Sequence, residues 1–274
     1  MIDCHVHVWD PAQGFPWIRP GTPLHRAYTE GDLEESGAGL GLTGAILVEA
    51  SRGDAGETHA LRQLRIRRPD LIAGYVGNLH VHGGSGPGAL RALLDECGDT
   101  RPNAMRIGGR DWAATPESAR NLVPVLAETG LALELNLHQR ALRTAAEVAE
   151  RHPDLNVVVD HLGNPPRLAT GEPREWCADL ERAAEAGNVV VKISGLLTQQ
   201  HGVPGHQLAR LVGHVVDTIG PERCLLASDW PICLTRGTRA DSLAASRTGL
   251  GRLTPAQTRH LVQDTARRVY RLRG

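Results

Sequence analysis

Apolar and polar residues along the chain follow two alternating periods. Short runs rich in Val, Ile and Leu recur eight times: IDCHVHV (2–8), GAILVEA (44–50), LIAGYVGN (71–78), NAMRIG (103–108), LALELNL (131–137), NVVVDH (156–161), NVVVKIS (188–194) and RCLLASD (223–229). Their length and β-branched content predict strands. Between them lie amphipathic stretches that predict helices over 59–69, 87–98, 116–130, 140–153, 175–187 and 205–220. Several of these end at Gly or just before Pro, where helices stop. Eight strand–helix alternations in 274 residues predict a (β/α)8 TIM barrel, one domain over 1–274. A doubly wound open sheet would place a glycine-rich phosphate turn after the first strand, but HVHVWDP stands there. The Gly- and Pro-rich stretch 10–23 reads as an excursion over the barrel mouth.

In such a barrel the chemistry gathers at the C-terminal strand ends. Strict alternation puts Asp3, His5 and His7 on one face of the first strand, pointing inward, and Ile2, Cys4, Val6 and Val8 toward the helices. The second strand ends at Glu49, the fourth carries Arg106, and the sixth ends in Asp160-His161. The seventh offers Lys192 and Ser194, and the eighth leads to Asp229. On the fifth strand, leucines alternate with Glu134, Asn136 and His138, and His138 is the member expected nearest the mouth. Taken singly, each residue has a plain structural reading. Glu49 can pair with Arg52 or Arg106, Lys192 can be a buried ion-pair partner, Asp229 can fix a turn, and alternation turns Asp160 away from His161. Together, ionisable groups delivered to one rim by five or six strands point to a site. His80 and His82 form a second HxH, but Gly83-Gly84 follow and place them in a loop.

Composition narrows the class. With a formal net charge of −1 and interspersed signs, nothing predicts a nucleic-acid partner. No apolar run approaches the ~18 residues that span a bilayer, and no signal segment opens the chain. The five scattered cysteines form no CxxC pair, so free thiols in a cytoplasmic protein are expected. Basic residues are Arg throughout, except for Lys192. Trp9, Trp17, Trp112 and Trp230 fall beyond strand ends or in the mouth excursion, as pocket walls or as plugs over the core.

DCHVHVWDP, VEAS, VVDHLGNP (158–165), VVKISGL (190–196), LLASDWPIC (225–233) and ARRVYRL (266–272) together resemble the amidohydrolase superfamily. They are most similar to the lactonase-like branch that includes L-fucono-, L-rhamnono- and 2-pyrone-4,6-dicarboxylate lactonases. The resemblance implies a (β/α)8 barrel with His5, His7, His161 and Asp229 in the catalytic centre. Where that family binds a metal, the first-strand histidines and the eighth-strand Asp are its ligands. Arg106 replaces the lysine that bridges two metals elsewhere in the superfamily, which speaks against a two-metal site.

The reaction so implied is opening of a lactone by an activated water. His5, His7, Asp229 and Glu49 would hold one divalent ion, Zn or Mn, and Asp229 would also act as general base. His161 would stabilise the oxyanion, while Arg106, Arg110, Lys192, His138 and Trp230 would read the substrate. A metal-free route has Asp229 activate water directly. Non-oxidative decarboxylation and a non-catalytic ligand-binding barrel are the alternatives. The expected partner is a small molecule, and a homodimer is the default assembly.

Overall fold

The computed structural model describes residues 1–171 and 173–272. Eight parallel strands form one sheet in sequence order: β1 (Ile2–Val6), β2 (Gly44–Val48), β3 (Ile72–Asn78), β4 (Ala104–Gly109), β5 (Ala132–Leu137), β6 (Val157–Val159), β7 (Val189–Ile193) and β8 (Cys224–Leu226). The sheet closes past the end of β8. There Asp229 N–H donates to the His5 carbonyl (3.0 Å) and His7 N–H donates to that of Trp230 (2.7 Å). The expected (β/α)8 barrel is the architecture found. Closure itself sets the eighth-strand aspartate beside the first-strand histidines.

Helices intervene between the strands, and most lie where apolar periodicity placed them, as at Gly86–Cys97, Ala141–Arg151, Arg174–Glu185 and Gly205–Ile219. The stretch 116–130 is not one helix but two, Glu117–Arg120 and Val123–Thr129. Pro124 accounts for the break, because it has no N–H to donate and its ring would collide with the carbonyl four residues earlier. Outward-facing Leu133, Leu135 and Leu137 of β5 are buried against Leu142 and Ala145 of the next helix. Truncating a fully buried leucine such as Leu135 to Ala would cost about 2–5 kcal/mol.

Inside the barrel, Ile46, Val48, Val76, Ala104, Ala132, Val158, Val190 and Leu225 form an apolar layer with Ile2 and Cys4. Tyr270 and Val269, at the chain's C-terminal end, belong to the same cluster. This corrects the alternation expected for β1. Ile2 and Cys4 point in, and Asp3 points out to the helix layer, where it meets Arg239. His5 and His7 nevertheless face the interior, because β1 holds one residue more than β2 between the Asp3–Ala45 and Val6–Leu47 pairings. Such a bulge shifts the phase of every later side chain.

The excursion 10–23 lies against the β1–β2 side. Phe15 and Ile18 are buried in a cluster with Trp9, Tyr28 and Trp230. Trp17 alone among these aromatics is 36% exposed, and its indole N–H donates to the Ala50 carbonyl (2.5 Å), which holds it at the C-terminal end of β2. Cys4, Cys97, Cys224 and Cys233 carry free, buried thiols. Among the described residues, no helix is long and apolar enough to cross a membrane.

Candidate active site

Four side chains meet under the barrel mouth. The Nε2 atoms of His5 and His7 face each other at 3.1 Å, and Asp229 Oδ1 lies 3.8 Å from the first and 3.6 Å from the second. The His161 ring sits 4.7 Å from that of His5, centroid to centroid, and the ligating atoms of His5, His161 and Asp229 all fall within 4.8 Å of one another. His7 Nδ1 donates to the Val48 carbonyl at 2.8 Å, so its Nε2 presents a lone pair. The facing nitrogen of His5 must then donate a proton to it, or the two must share a cation. His161 Nδ1 is anchored by Ser194 Oγ at 2.9 Å. Gly195 follows with φ +72°, and a Cβ there would meet the His161 side chain at 3.2 Å, so a glycine keeps the β7 end close to that ring.

The strand ends that carry this chemistry have unusual backbones. Ser51 beyond β2, His161 beyond β6 and Asp229 beyond β8 adopt left-handed φ of 59°, 52° and 59°. Non-glycine residues in this region cost about 1 kcal/mol or more each, and they cluster at functional sites. At β6 the turn has a direct consequence. Asp160 keeps extended backbone and the inward phase of Val158, and the left-handed step at His161 brings that ring to the interior as well rather than to the opposite face.

A charged layer lies beneath the histidines. Lys192 Nζ, fully buried, donates to Glu134 Oε2 (2.7 Å) and lies 3.0 Å from Asp160 Oδ1 and 3.1 Å from His5 Nδ1. Glu134 also accepts from the Tyr270 hydroxyl at 2.5 Å. Beside them Arg106 pairs with Glu49 at 2.6 Å and lies 3.7 Å from Asp160 Oδ2. Burial alone would lower the Lys192 pKa, but Asp160 and Glu134 outweigh it and hold the ammonium charged. Burial would likewise raise Asp160, yet Lys192 and His5 keep it well below the usual carboxylate range. Burial pushes His5 and His161 below the ordinary histidine value, with Lys192 acting in the same direction, so both rings are neutral near pH 7.

The structure brings His5, His7, His161 and Asp229 together and places the other sequence-derived candidates elsewhere. Glu49, expected among the metal ligands, is taken up by Arg106, Asn78 and the Ser51 N–H. Arg106 and Lys192, expected to read substrate, are buried and committed to carboxylates. Arg110 is exposed and paired with Asp111, and His138 is exposed beyond the end of β5. Trp230 is 1% exposed, packed on Tyr28. His80 and His82 sit in a 3-10 turn after β3 rather than on the strand. Asp160 and Glu134 are the groups that sequence reasoning undervalued. The polar row on β5 signalled Glu134, whereas nothing local distinguishes Asp160 from a surface-facing neighbour.

The donor set fits one divalent cation. It offers imidazole nitrogens and a carboxylate oxygen, with two Nε2 atoms at a separation close to the ~3.3 Å expected between ligands of one tetrahedral zinc. The surrounding charge points the same way. Among the described residues, Glu49, Glu134, Asp160 and Asp229 are buried with only Arg106 and Lys192 to balance them, and neither Asp160 oxygen makes an aligned hydrogen bond. Excess buried negative charge of this size is costly unless a cation or protons offset it.

A model of the amidohydrolase family matches residues 2–272. The L-fucono-1,5-lactonase of Burkholderia multivorans is 29% identical, over 99% of this chain and 96% of its own. That of Burkholderia ambifaria is 28% identical, over 88% and 83%. A crystal structure of a Burkholderia multivorans amidohydrolase with bound zinc superposes with a TM-score of 0.87 at 27% identity, covering 99% of both chains.

Proposed function

The chain belongs to the amidohydrolase family, and from that premise we propose that it hydrolyses lactones. The observation that carries this reading is the convergence of His5, His7 and Asp229 within 3.8 Å under the mouth, with His161 alongside. Its similarity to two L-fucono-1,5-lactonases supports the choice of a cyclic ester.

In this reading the Asp229 carboxylate takes a proton from a water poised above the histidines, and that water attacks the lactone carbonyl. His161, with Nδ1 fixed by Ser194, directs Nε2 at the oxygen that gains negative charge. When the tetrahedral centre collapses, the ring C–O bond breaks and Asp229 returns its proton to the departing oxygen. The product is an open hydroxy acid. His5 and His7, with Asp229, would hold a zinc or manganese ion, which supplies polarisation of the carbonyl and a more acidic water. Lys192, Glu134 and Asp160 lie under the reaction and fix the His5 ring from behind.

The substrate class follows from what the mouth presents. Arg106, Lys192 and Arg110 are each engaged by chain carboxylates, so none is a ready partner for a carboxylated ring. The partly exposed Trp17 gives a flat platform of the kind that sugar rings stack on, and Asn136 adds a neutral amide in phase with Glu134. An uncharged, hydroxylated lactone suits this better than a dicarboxylate.

The test is acid release, corrected for spontaneous opening, from sugar 1,4- and 1,5-lactones and from 2-pyrone-4,6-dicarboxylate. Turnover of an uncharged sugar lactone with kcat/KM at least about a hundredfold above the dicarboxylate is expected. Release of CO₂ from a carboxylated substrate, or no acid from any lactone, would sink the reading.

A further inference from the structure

Asp3 opens the DCHVHV motif, yet it faces away from the barrel bore and reaches neither imidazole; its one contact with a motif histidine is with the backbone, where Oδ1 accepts from His5 N–H at 3.5 Å. It is fully buried in the wall between barrel and helices. Oδ1 accepts from Ser228 N–H (2.9 Å), while Oδ2 accepts from Ser228 Oγ (2.6 Å) and from Arg239 Nε and Nη2 (3.0 and 2.9 Å). Arg239 is 2% exposed and belongs to the helix Arg239–Arg247. Its third nitrogen donates to the Leu33 carbonyl (2.8 Å) and Ser36 Oγ (3.1 Å), which ties it to the helix Glu30–Gly37. Ser228 Oγ in turn accepts from Trp230 N–H at 3.1 Å, and the Ser228 carbonyl accepts from Ser242 Oγ at 2.6 Å.

The residue between Ser228 and Trp230 is Asp229. Both of its neighbours therefore hang from one carboxylate, and that carboxylate is locked by a two-pronged arginine. Asp229 itself holds φ at +59°, a conformation that reverts unless the surroundings impose it. A buried ion pair rarely stabilises a fold more than apolar residues of the same volume would. What this one supplies is direction: two hydrogen bonds to Ser228, relayed by its hydroxyl to the Trp230 N–H, so that the residues on either side of Asp229 are held.

We propose that the Asp3–Arg239 pair, acting through Ser228, positions the Asp229 carboxylate against His5 and His7. The pair lies outside the bore and contacts no substrate, so it is a positioning device rather than catalytic machinery. The inference rests on the reading of Asp229 as general base. Loss of the clamp lets the turn relax and swings the carboxylate off line. Because the substrate-facing surface is untouched, the effect falls on kcat and leaves KM alone.

Three variants test this. Arg239→Ala should lower kcat about thirtyfold with KM within about threefold of the parent. Methylguanidinium, filling the vacated space, should restore much of the loss saturably. Arg239→Lys keeps the charge without the fork and should fall between the two. Ser228→Ala removes a single hydroxyl and keeps the test alive where Arg239→Ala does not fold. Its kcat should drop about tenfold without a change in the folded fraction. An unchanged kcat in folded Ser228→Ala or Arg239→Ala, or a loss confined to KM, overturns the proposal. If the parent protein opens no lactone, the functional reading fails by itself, and the clamp is judged by ¹⁹F NMR of 5-fluorotryptophan-labelled protein. Ser228→Ala should then broaden or split the Trp230 line and leave those of Trp112 and Trp176 in place; an unaltered Trp230 line overturns it.

Discussion

Two buried ionic clusters lie on opposite sides of β1, and they are built differently. Outside the bore, Asp3 and Arg239 balance one to one, and each carboxylate oxygen of Asp3 accepts well-aligned hydrogen bonds. Inside it, four carboxylates share two cations, and Asp160 lies among Lys192, His5 and Arg106 with no aligned hydrogen bond. A balanced, satisfied cluster can hold a scaffold without outside help. One with excess charge and idle acceptors is organised around something that arrives from outside, a cation, a proton or a substrate. The difference separates a self-sufficient scaffold pair from the cluster that the proposed chemistry uses.

Removing one carboxylate from each cluster should give opposite results. Asp229→Asn should lower kcat by about 10³–10⁴-fold, as expected for loss of a general base, while the urea midpoint stays level or rises because crowded negative charge is relieved. Asp3→Asn should instead cost about 3–5 kcal/mol of stability, since it leaves Arg239 buried without a counter-charge. Equal stability losses in the two variants would erase the distinction. Acid release and urea denaturation measure the two effects.

Lys192→Met probes the inner cluster from the cation side. It strands Glu134 and Asp160 and should destabilise by about 3–5 kcal/mol, read as a lower urea midpoint at constant slope. Lys192→Arg should keep the fold and lose activity, because a planar fork cannot replace a point ammonium in contact with Glu134, Asp160 and His5.

Elemental analysis should find one divalent ion per chain. Chelation should lower the melting temperature, by about 3 kcal/mol of stability for an ion present at a hundred times its Kd. A protein free of metal whose melting does not respond to zinc or manganese would show that protons, not a cation, offset the inner charge.

The smallest expected effect is on pH. His5 and His161 titrate below the ordinary value of 6.5 in the folded chain, chiefly through burial. The unfolded chain therefore takes up protons first as pH falls. The stabilisation is complete above pH 6.5 and drains away below it, by up to about 1.4 kcal/mol per pH unit for each ring. Urea midpoints at pH 7.5 and 5.5 check the sign, and a higher midpoint at pH 5.5 would contradict neutral rings.

Much of this molecule was legible in one dimension. Eight β-branched runs predicted the barrel, and the HxH, the histidine after β6 and the aspartate after β8 predicted the group under the mouth. These signals are local. A strand reads as a strand from its own residues, and a strand end in a barrel of this kind faces the site whatever its partners are. The reading of β1 turned both histidines inward, as found, but through an incorrect alternation. A bulge adds one residue whose presence depends on pairing with β2, and no periodicity within β1 reveals it.

The pairings were a matter for tertiary structure alone. Glu49 and Arg106 were plausible as ligand and substrate reader until the fold set one against the other, 57 residues apart in sequence. Lys192 could have stood at the mouth or beneath it, and only its depth against Glu134 and Asp160 decided. His161 joined Asp160 inside because the chain takes a left-handed step at His161, which overrides the alternation of β6. The sequence by itself determined which elements form and which side chains stand at their ends, because those follow from short-range sterics and hydrophobic period. Which ionised groups neutralise one another, and which remain for chemistry, was decided only in three dimensions, because Coulomb and hydrogen-bond partners are chosen by distance through space.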